Sequence, residues 1–397
     1  MLIVEDDALQ RRAMTQRLGA LGVADVQVAA DGLAALEILE TCPTIELVIT
    51  DLAMPGMDGL ELLCELGARG QRCAIAVHSA LDGELLSCME LMAREKQLRF
   101  LGTLAKPATS VELAAILTRA VAPPPAPRSP LPSVTRAELA AGLARGEFVP
   151  FFQPKVSFRD RSVAGVEALA RWHHPVHGLL PPAAFLDVME QEALLGELAR
   201  VIIDTSAQAI VACRADGVEL PVAVNLSASF LSTPGMAAGI SRLIRRHGVA
   251  PELVTFEITE AVAMTDVGTC LENIARLRMR GHRLAIDDFG VGYSSLVQLM
   301  RIPAAELKLD RGFVTGIAPG TRAARMLAAT IVMAHQLEMA TVAEGVETER
   351  EWDFLTGLGC DIAQGYLIAR PLPLAELRAW LARHQPSTSP SRSGART

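Results

Sequence analysis

Thr255-Phe-Glu257, Leu284-Ala-Ile-Asp287, Leu307-Lys-Leu-Asp310 and Thr341-Val-Ala-Glu344 follow one another in the chain, each a short apolar run that stops at a carboxylate. Such runs read as buried strands, and the longer segments between them can supply the crossovers that parallel neighbours require. The pattern extends upstream through Val222-Ala-Val-Asn225, Val166-Glu-Ala-Leu169 and Phe151-Phe-Gln153, and downstream to Ile362-Ala-Gln364. Eight such runs, most of them separated by helical segments, over a span of ~250 residues predict a (β/α)₈ TIM barrel whose polar strand ends converge at one C-terminal mouth. Only a turn around Arg159-Asp160-Arg161-Ser162 joins the first two runs. A link that short cannot carry a parallel crossover, so the barrel is expected to be modified by one antiparallel strand. Thr135-Arg-Ala-Glu138 reads as the capping box of a helix that opens this domain.

Ahead of the barrel, Ala122 to Ser133 is rich in proline. It can neither continue a helix nor enter a sheet interior, and it favours an extended, semi-rigid spacer. Before it, the apolar runs Leu2–Val4, Val26–Ala29, Leu47–Thr50, Ala74–Val77 and Phe100–Leu104 alternate with amphipathic segments of helical length. Five βα units predict a doubly wound, flavodoxin-like α/β domain with its site at the carboxyl ends of the strands. The expected division is residues 1–121, a linker at 122–133, the barrel at 134–384 and a disordered Ser-, Pro- and Arg-rich tail at 385–397.

Composition narrows the class. A net charge of −8 with 21% charged residues gives no basic excess of the kind expected of a DNA-binding protein. No apolar run approaches the ~18 uninterrupted residues of a membrane span, and the longest candidate, Met326 to Ala343, contains His335 and Glu338. Met1 leads directly into the first strand, which reads as abbreviated, and no secretory signal is seen, so a cytoplasmic location is expected. The cysteines Cys42, Cys64, Cys73, Cys88, Cys213, Cys270 and Cys360 form no CxxC pair, which favours reduced thiols over a zinc ribbon or a disulfide framework.

The strand ends carry the chemistry. Glu167, Asn225, Glu257, Asp287, Asp288 and Glu344 are hard oxygen donors, suited to Mg²⁺ or Mn²⁺. Clustered like charges repel unless cations bind among them. Two ions bridged by one carboxylate, here Asp287, can activate a water and stabilise both oxygens of a phosphoryl displacement. Taken singly, each residue has a plainer reading: Asn225 or Ser227 as a helix cap, Glu260 on a backbone group, Lys308 paired with Asp310. Their joint placement at successive strand ends favours a functional mouth. His173, His174 and His177 lie in a Pro- and Gly-marked stretch without ligand spacing and read as a surface loop.

The string Gly165-Val-Glu167-Ala168-Leu169-Ala-Arg171-Trp172 resembles the signature of the EAL family of cyclic di-GMP phosphodiesterases. Asn225-Leu-Ser227, Phe256-Glu257-Ile-Thr-Glu260, Asp287-Asp288-Phe-Gly, Lys308-Leu-Asp310, Glu344-Gly-Val-Glu347 and Gln364-Gly-Tyr match its later motifs in order. The resemblance implies a metal-dependent enzyme that hydrolyses cyclic di-GMP to linear pGpG. It implies that Glu167, Asn225, Glu257 and Asp287 hold one ion and Asp287, Asp288 and Glu344 the second. Lys308, together with Glu344, would orient or deprotonate the attacking water, and Glu347 would support the site. Gln153, Leu169, Arg171, Asp310, Gln364 and Pro371 would line the dinucleotide pocket. Gly290 and Gly292 belong to a segment that resembles the family's mobile loop, which Glu260 would anchor and which links metal binding to dimerisation. A homo-dimer or higher homo-oligomer is therefore expected. Val291 stands where the family usually has Thr.

Val4-Glu5-Asp6 and Asp51-Leu-Ala-Met-Pro-Gly-Met-Asp-Gly59 resemble response-regulator receiver domains. That resemblance implies a phosphoacceptor Asp51, a Mg²⁺ held near Glu5 and Asp6, assisting Ser79 and Lys106, and a cognate sensor histidine kinase. Thr103 stands where receivers often carry Tyr or Phe. Two other readings remain for the barrel: a catalytically silent cyclic di-GMP receptor that signals through protein contacts, and an unrelated Mg²⁺-dependent barrel of the aldolase or enolase kind.

Overall fold

The computed structural model describes residues 1–71, 73–79, 89, 92–93, 95–96, 98–121, 131–259, 267–290 and 302–384. Most of the proline-rich linker, the tail, Cys88, Glu260, Val291 and Gly292 lie outside them. The chain divides into two compact units, Met1–Pro130 and Leu131–Thr397.

In the first unit, five strands are hydrogen-bonded in the order β2-β1-β3-β4-β5: β1 (Leu2–Val4), β2 (Gln27–Ala29), β3 (Leu47–Asp51), β4 (Ala74–Ser79) and β5 (Arg99–Ala105). All their pairings are parallel. β3 and β4 are buried along their whole lengths, as apolar strands covered on both faces must be. Their side chains divide between two cores, one around Val48, Leu62 and Val77 and the other around Ile3, Ile49 and Leu113. Gly59 opens the helix Gly59–Ala68 hard against β3; a Cβ there would lie 2.1 Å from the Asp51 carbonyl oxygen. That contact sets the backbone beside Asp51.

The second unit is a closed barrel. Its strands are β6 (Phe148–Ser157), β7 (Val163–His174), β9 (Val222–Leu226), β10 (Val254–Thr259), β11 (Arg283–Phe289), β12 (Glu306–Leu309), β13 (Ala340–Ala343) and β14 (Ile362–Gln364). β7 and β9 through β14 run parallel, whereas β6 is antiparallel to both of its neighbours, β7 and β14. The reversed strand is thus the first one, as the short turn after it requires. A short β8 (Gly178–Leu180) adds an antiparallel hairpin to β7.

The predicted capping box is present at the helix Arg136–Arg145. This helix packs near the stacked pair Phe148 and Trp172, whose ring centroids are 4.8 Å apart, and the Trp172 indole nitrogen donates to Glu147 at 2.9 Å. Of the three histidines, His177 lies in an exposed turn, whereas the loop reading of His173 and His174 needs correction. His173 and His174 complete β7, and His174 is buried edge-on against Trp172, its Nδ1 accepting from Val176 and His177 backbone nitrogens at 3.1 Å. Burial of the aromatic cluster pulls this part of the hairpin inward.

Gly365 follows β14 in contact with the loop after β13, where an added Cβ would lie 2.1 Å from the Val346 carbonyl oxygen. Backbone cannot yield as a flexible side chain can, so Gly365→Ala is expected to destabilise the barrel by about 1–3 kcal/mol. A lower urea midpoint in circular dichroism would show it; an unchanged midpoint would mean that this contact carries no constraint.

Candidate active site

Strand alternation sends Glu306 and Lys308 of β12 into the barrel and leaves Leu307 and Leu309 facing the helices. Lys308 is almost wholly buried, and its Nζ is surrounded by carboxylates: Glu344 at 2.7 Å, Glu257 and Asp287 at 2.9 Å and Glu167 at 3.3 Å. Those acids come from β7, β10, β11 and the residue just after β13. Register staggers the first three along the tilted strands: Glu167 pairs with Ala223 of β9, Glu257 with Asn225 of β9, and Asp287 with Thr259 of β10, so they follow one another around the inner face.

Asp288 needs more than register, because successive residues of a strand point to opposite faces. Between Ile286 and Phe289 the pairing of β11 with β12 shifts, and Asp288 takes a positive φ of 55°. This irregularity brings Asp288 to the same side as Asp287, and carboxylate oxygens of Asp287, Asp288 and Glu344 lie within 4.8 Å of one another. A second group, Glu167, Glu257 and Asp287, meets the same distance, so Asp287 belongs to both.

Amides complete the arrangement around Glu167. Gln364 donates to its Oε2 at 2.6 Å and Asn225 to its Oε1 at 2.7 Å, leaving the Asn225 amide oxygen as the atom for a cation. Gln364 also donates to Gln153 at 3.2 Å, and Gln153 donates to the Ala369 carbonyl. Burial raises the Glu167 carboxyl, but the charge of Lys308 and the Gln364 hydrogen bond outweigh it and bring the pKa down to about 2. Glu257, deeper and without those amide donors, is pushed well above the ordinary carboxylate range by burial and by the charge of Glu167. Burial, with Glu167 and Asp287 nearby, lifts Glu344 to about 7, and burial beside Asp287 also raises Asp288. Burial opposes the charge on Lys308, yet the surrounding acids raise its pKa well above that of an ordinary lysine.

The donor set suits hard divalent cations: carboxylates in two groups that share one residue, with Glu257 Oε1 buried and accepting no hydrogen bond. A cavity of about 310 Å³ opens above them. Gln153, Leu169 and Gln364 stand in its wall as expected, whereas Arg171, Asp310 and Pro371 do not. Arg171 is half-buried over the Phe151 ring and donates to the Ala170 carbonyl, and Asp310 caps the turn that follows β12 by accepting from Gly312. Glu347 lines the cavity and pairs with Arg311 at 3.0 Å. Ser227 is a helix cap, accepting from Phe230. Gly290 has a φ of 102° and lies against the Phe313 ring.

Sequence reading missed Arg311 and Tyr366 in the cavity wall, and Lys155 and Glu306 below it. Lys155 was within reach of that reading: it lies two residues after Gln153 on β6, so both share the inward face.

In the first unit, carboxylate oxygens of Glu5, Asp6 and Asp51 also gather within 4.8 Å. Lys106 bridges Asp51 at 2.6 Å and Glu5 at 2.9 Å, and Ser79 is buried at the end of β4. Asp51 Oδ1 accepts from the Leu52 backbone at 2.6 Å. Burial opposes the charges of Glu5 and Lys106, but hydrogen bonds prevail: those with His78 and Lys106 lower Glu5, and those with Asp51 and Glu5 raise Lys106. His78, unnoticed in the sequence, is buried with Nδ1 3.3 Å from Glu5.

Comparison with known proteins agrees with both halves. A family model described as the EAL domain matches residues 136–371, and one described as the response regulator receiver domain matches residues 1–118. The chain is 37% identical to the cyclic di-GMP phosphodiesterase RocR of Pseudomonas aeruginosa, covering 94% of this chain and 96% of that protein. It is 39% identical to the bifunctional diguanylate cyclase/cyclic di-GMP phosphodiesterase MucR of the same organism, over 62% of this chain but 36% of that one. Among solved structures, the PaMucR phosphodiesterase in complex with c-di-GMP superposes with a TM-score of 0.58 at 38% identity, over 61% of this chain and 98% of that one. The EAL domain of Mycobacterium smegmatis DcpA gives a TM-score of 0.52 at 30% identity, over 60% and 98%. With an acid-lined barrel mouth in its second unit, the chain belongs to the EAL-domain family and carries a response-regulator receiver domain at its amino-terminal side.

Proposed function

We propose that this chain hydrolyses one 3′–5′ phosphodiester of cyclic di-GMP to linear pGpG at the barrel mouth, under control of phosphorylation at Asp51. The observation that carries the reading is the convergence of Glu167, Glu257, Asp287 and Glu344 on one buried Lys308. Likeness to RocR, and to a phosphodiesterase structure described as a c-di-GMP complex, supports the choice of substrate.

Glu167, Asn225, Glu257 and Asp287 would hold one Mg²⁺ or Mn²⁺, and Asp287, Asp288 and Glu344 a second. Bound there, such a pair supplies a polarised water and charge stabilisation for in-line displacement at phosphorus. The protein's own groups divide the remaining work. Lys308, with its Nζ 2.7–3.3 Å from four carboxylates, would serve as a hydrogen-bond donor that orients the nucleophile. Glu344, 2.7 Å from the Lys308 ammonium at the same mouth, would share in orienting or deprotonating it. Gln364 holds Glu167 in place, and Gln153 and Leu169 offer a surface for the dinucleotide. Arg171 would reach a phosphate oxygen only after leaving the Ala170 carbonyl. A silent receptor is the weaker reading, because the gathering of Glu167, Glu257 and Asp287, and of Asp287, Asp288 and Glu344, each within 4.8 Å, supports a site able to hold cations.

In the receiver domain, Asp51 would accept a phosphoryl group from a cognate sensor histidine kinase, with Mg²⁺ beside Glu5 and Asp6. Lys106 and Ser79 would steady the phosphoryl oxygens. We expect the working protein to be a homo-oligomer.

Purified chain incubated with cyclic di-GMP and Mg²⁺ is expected to yield pGpG on chromatography. Glu167→Ala should reduce turnover to background by removing a ligand; a fully active variant would defeat the assignment. Asp51→Ala should retain basal turnover and abolish the response to a small phosphodonor, and the opposite pattern would overturn the division of labour between the domains.

The pH dependence follows from Glu344. Its folded pKa of about 7 lies above the ordinary value of 4.5, so its protonated form favours the folded state. That contribution is complete below the ordinary value and is lost as pH rises through about 7. Chelator-treated protein should therefore lose thermal stability across that window. Mg²⁺ binding should strengthen and release protons between about pH 6 and about pH 8, which titration calorimetry in buffers of different ionisation enthalpy would measure.

A further inference from the structure

Below the mouth lies a second charged layer. Lys155 projects inward from the reversed strand β6, directly opposite Gly165 of β7 in the pairing register. Glycine is required at that point, since a Cβ on residue 165 would come 2.8 Å from the Pro221 carbonyl oxygen. It adds no side chain beside the lysine. Ala223 and Ala285, one strand step below Asn225 and Asp287, are small as well. Lys155 therefore crosses from β6 to strands on the far side of the barrel. Its Nζ lies 3.2 Å from Glu306 of β12 and 3.6 Å from Glu257 Oε1 of β10, with about 5% of the side chain exposed.

Glu257 is consequently held from two sides. Lys308 reaches its Oε2 at 2.9 Å from the mouth, and Lys155 approaches Oε1 from beneath. Oε1 is buried and accepts no hydrogen bond, and the Lys155 ammonium at 3.6 Å is the charge on that side of a carboxylate whose other oxygen faces Lys308. Glu306 and Glu257 are the acids within ion-pair distance of the Lys155 ammonium. Fully ionised, Glu167, Glu257, Asp287, Asp288, Glu344 and Glu306 are six carboxylates against the two ammonium groups of Lys155 and Lys308. The excess of four negative charges equals the charge of two divalent cations.

We propose that Lys155 and Glu306 are a buried positioning pair for the cation site: Glu306 holds the Lys155 ammonium beneath Glu257, and Lys155 fixes the orientation of that carboxylate. The pair touches neither substrate nor reacting atoms; it acts through Glu257. The inference rests on the reading of the mouth as the cation-dependent phosphodiesterase site.

The test uses the full chain with Lys155→Met, Glu306→Gln and the double variant Lys155→Met/Glu306→Leu, each titrated with Mn²⁺ alone, melted, and assayed with cyclic di-GMP. Removing one member of a buried ion pair destabilises strongly, whereas replacing both by apolar groups is close to neutral. The double variant is therefore expected to recover the melting temperature lost by Lys155→Met. It should still bind Mn²⁺ roughly 10–100-fold more weakly than the parent, as loss of an outer partner of a metal ligand does. Turnover should fall at limiting Mn²⁺ and recover in large part at saturating Mn²⁺. A double variant that regains both stability and parental Mn²⁺ affinity would reduce the pair to a structural ion pair and overturn the proposal, as would a parent chain that binds no Mn²⁺. A parent that binds Mn²⁺ but leaves cyclic di-GMP intact would sink the phosphodiesterase reading while leaving the positioning role supported by the binding data.

Discussion

The ammonium of Lys308 among four carboxylates is the interaction on which the barrel mouth depends. Buried acids from separate strands cannot share a few ångströms of low-dielectric space unless positive charge accompanies them. Lys308 supplies one such charge at 2.7–3.3 Å from all four. Its stem is enclosed by the barrel, so the charge cannot swing out to water, and the acids remain aimed at one point. The acids then differ in their protons: the Lys308 charge and the Gln364 amide hold Glu167 as the anion, while burial pushes Glu257 and Glu344 toward their neutral forms.

The receiver domain meets the same difficulty with a different fold. Lys106, carried on the segment after β5, spans Asp51 and Glu5 at the carboxyl ends of a parallel sheet. Both domains thus place an acidic group suited to a divalent cation at strand ends with a lysine at its centre, and the barrel adds a second lysine, Lys155, beneath. The difference is access. Lys106 remains partly exposed, whereas Lys308 is buried at the floor of a cavity of about 310 Å³.

Backbone irregularities matter as much as side-chain identity. The register shift at Asp287 and Asp288, with its left-handed residue, puts two consecutive acids on one side of β11, which regular pleating forbids. Gly365 allows the loops after β13 and β14 to touch backbone to backbone, so Glu344 and Gln364 approach the same centre. Neither feature adds chemistry of its own; each brings the chemistry within reach.

Strand periodicity, the carboxylates at the ends of the runs and the short turn after the first barrel strand were enough to specify two α/β units, the reversed strand and most acids at the mouth. These are local properties: a run of apolar residues, an acid at its end and a loop too short to cross a barrel can be read without knowing what lies opposite. Tertiary structure alone decided which cations answer those acids. Lys155 reaches Glu306 across 151 positions of chain because β6 and β12 face one another across the lumen, and no spacing in the sequence encodes that meeting. The same holds for His174, whose burial against Trp172 follows from packing, and for Arg171, which the fold ties to its own strand. Residue type and spacing determine what a side chain can do; closure of the barrel determines which partner it meets and how far from water.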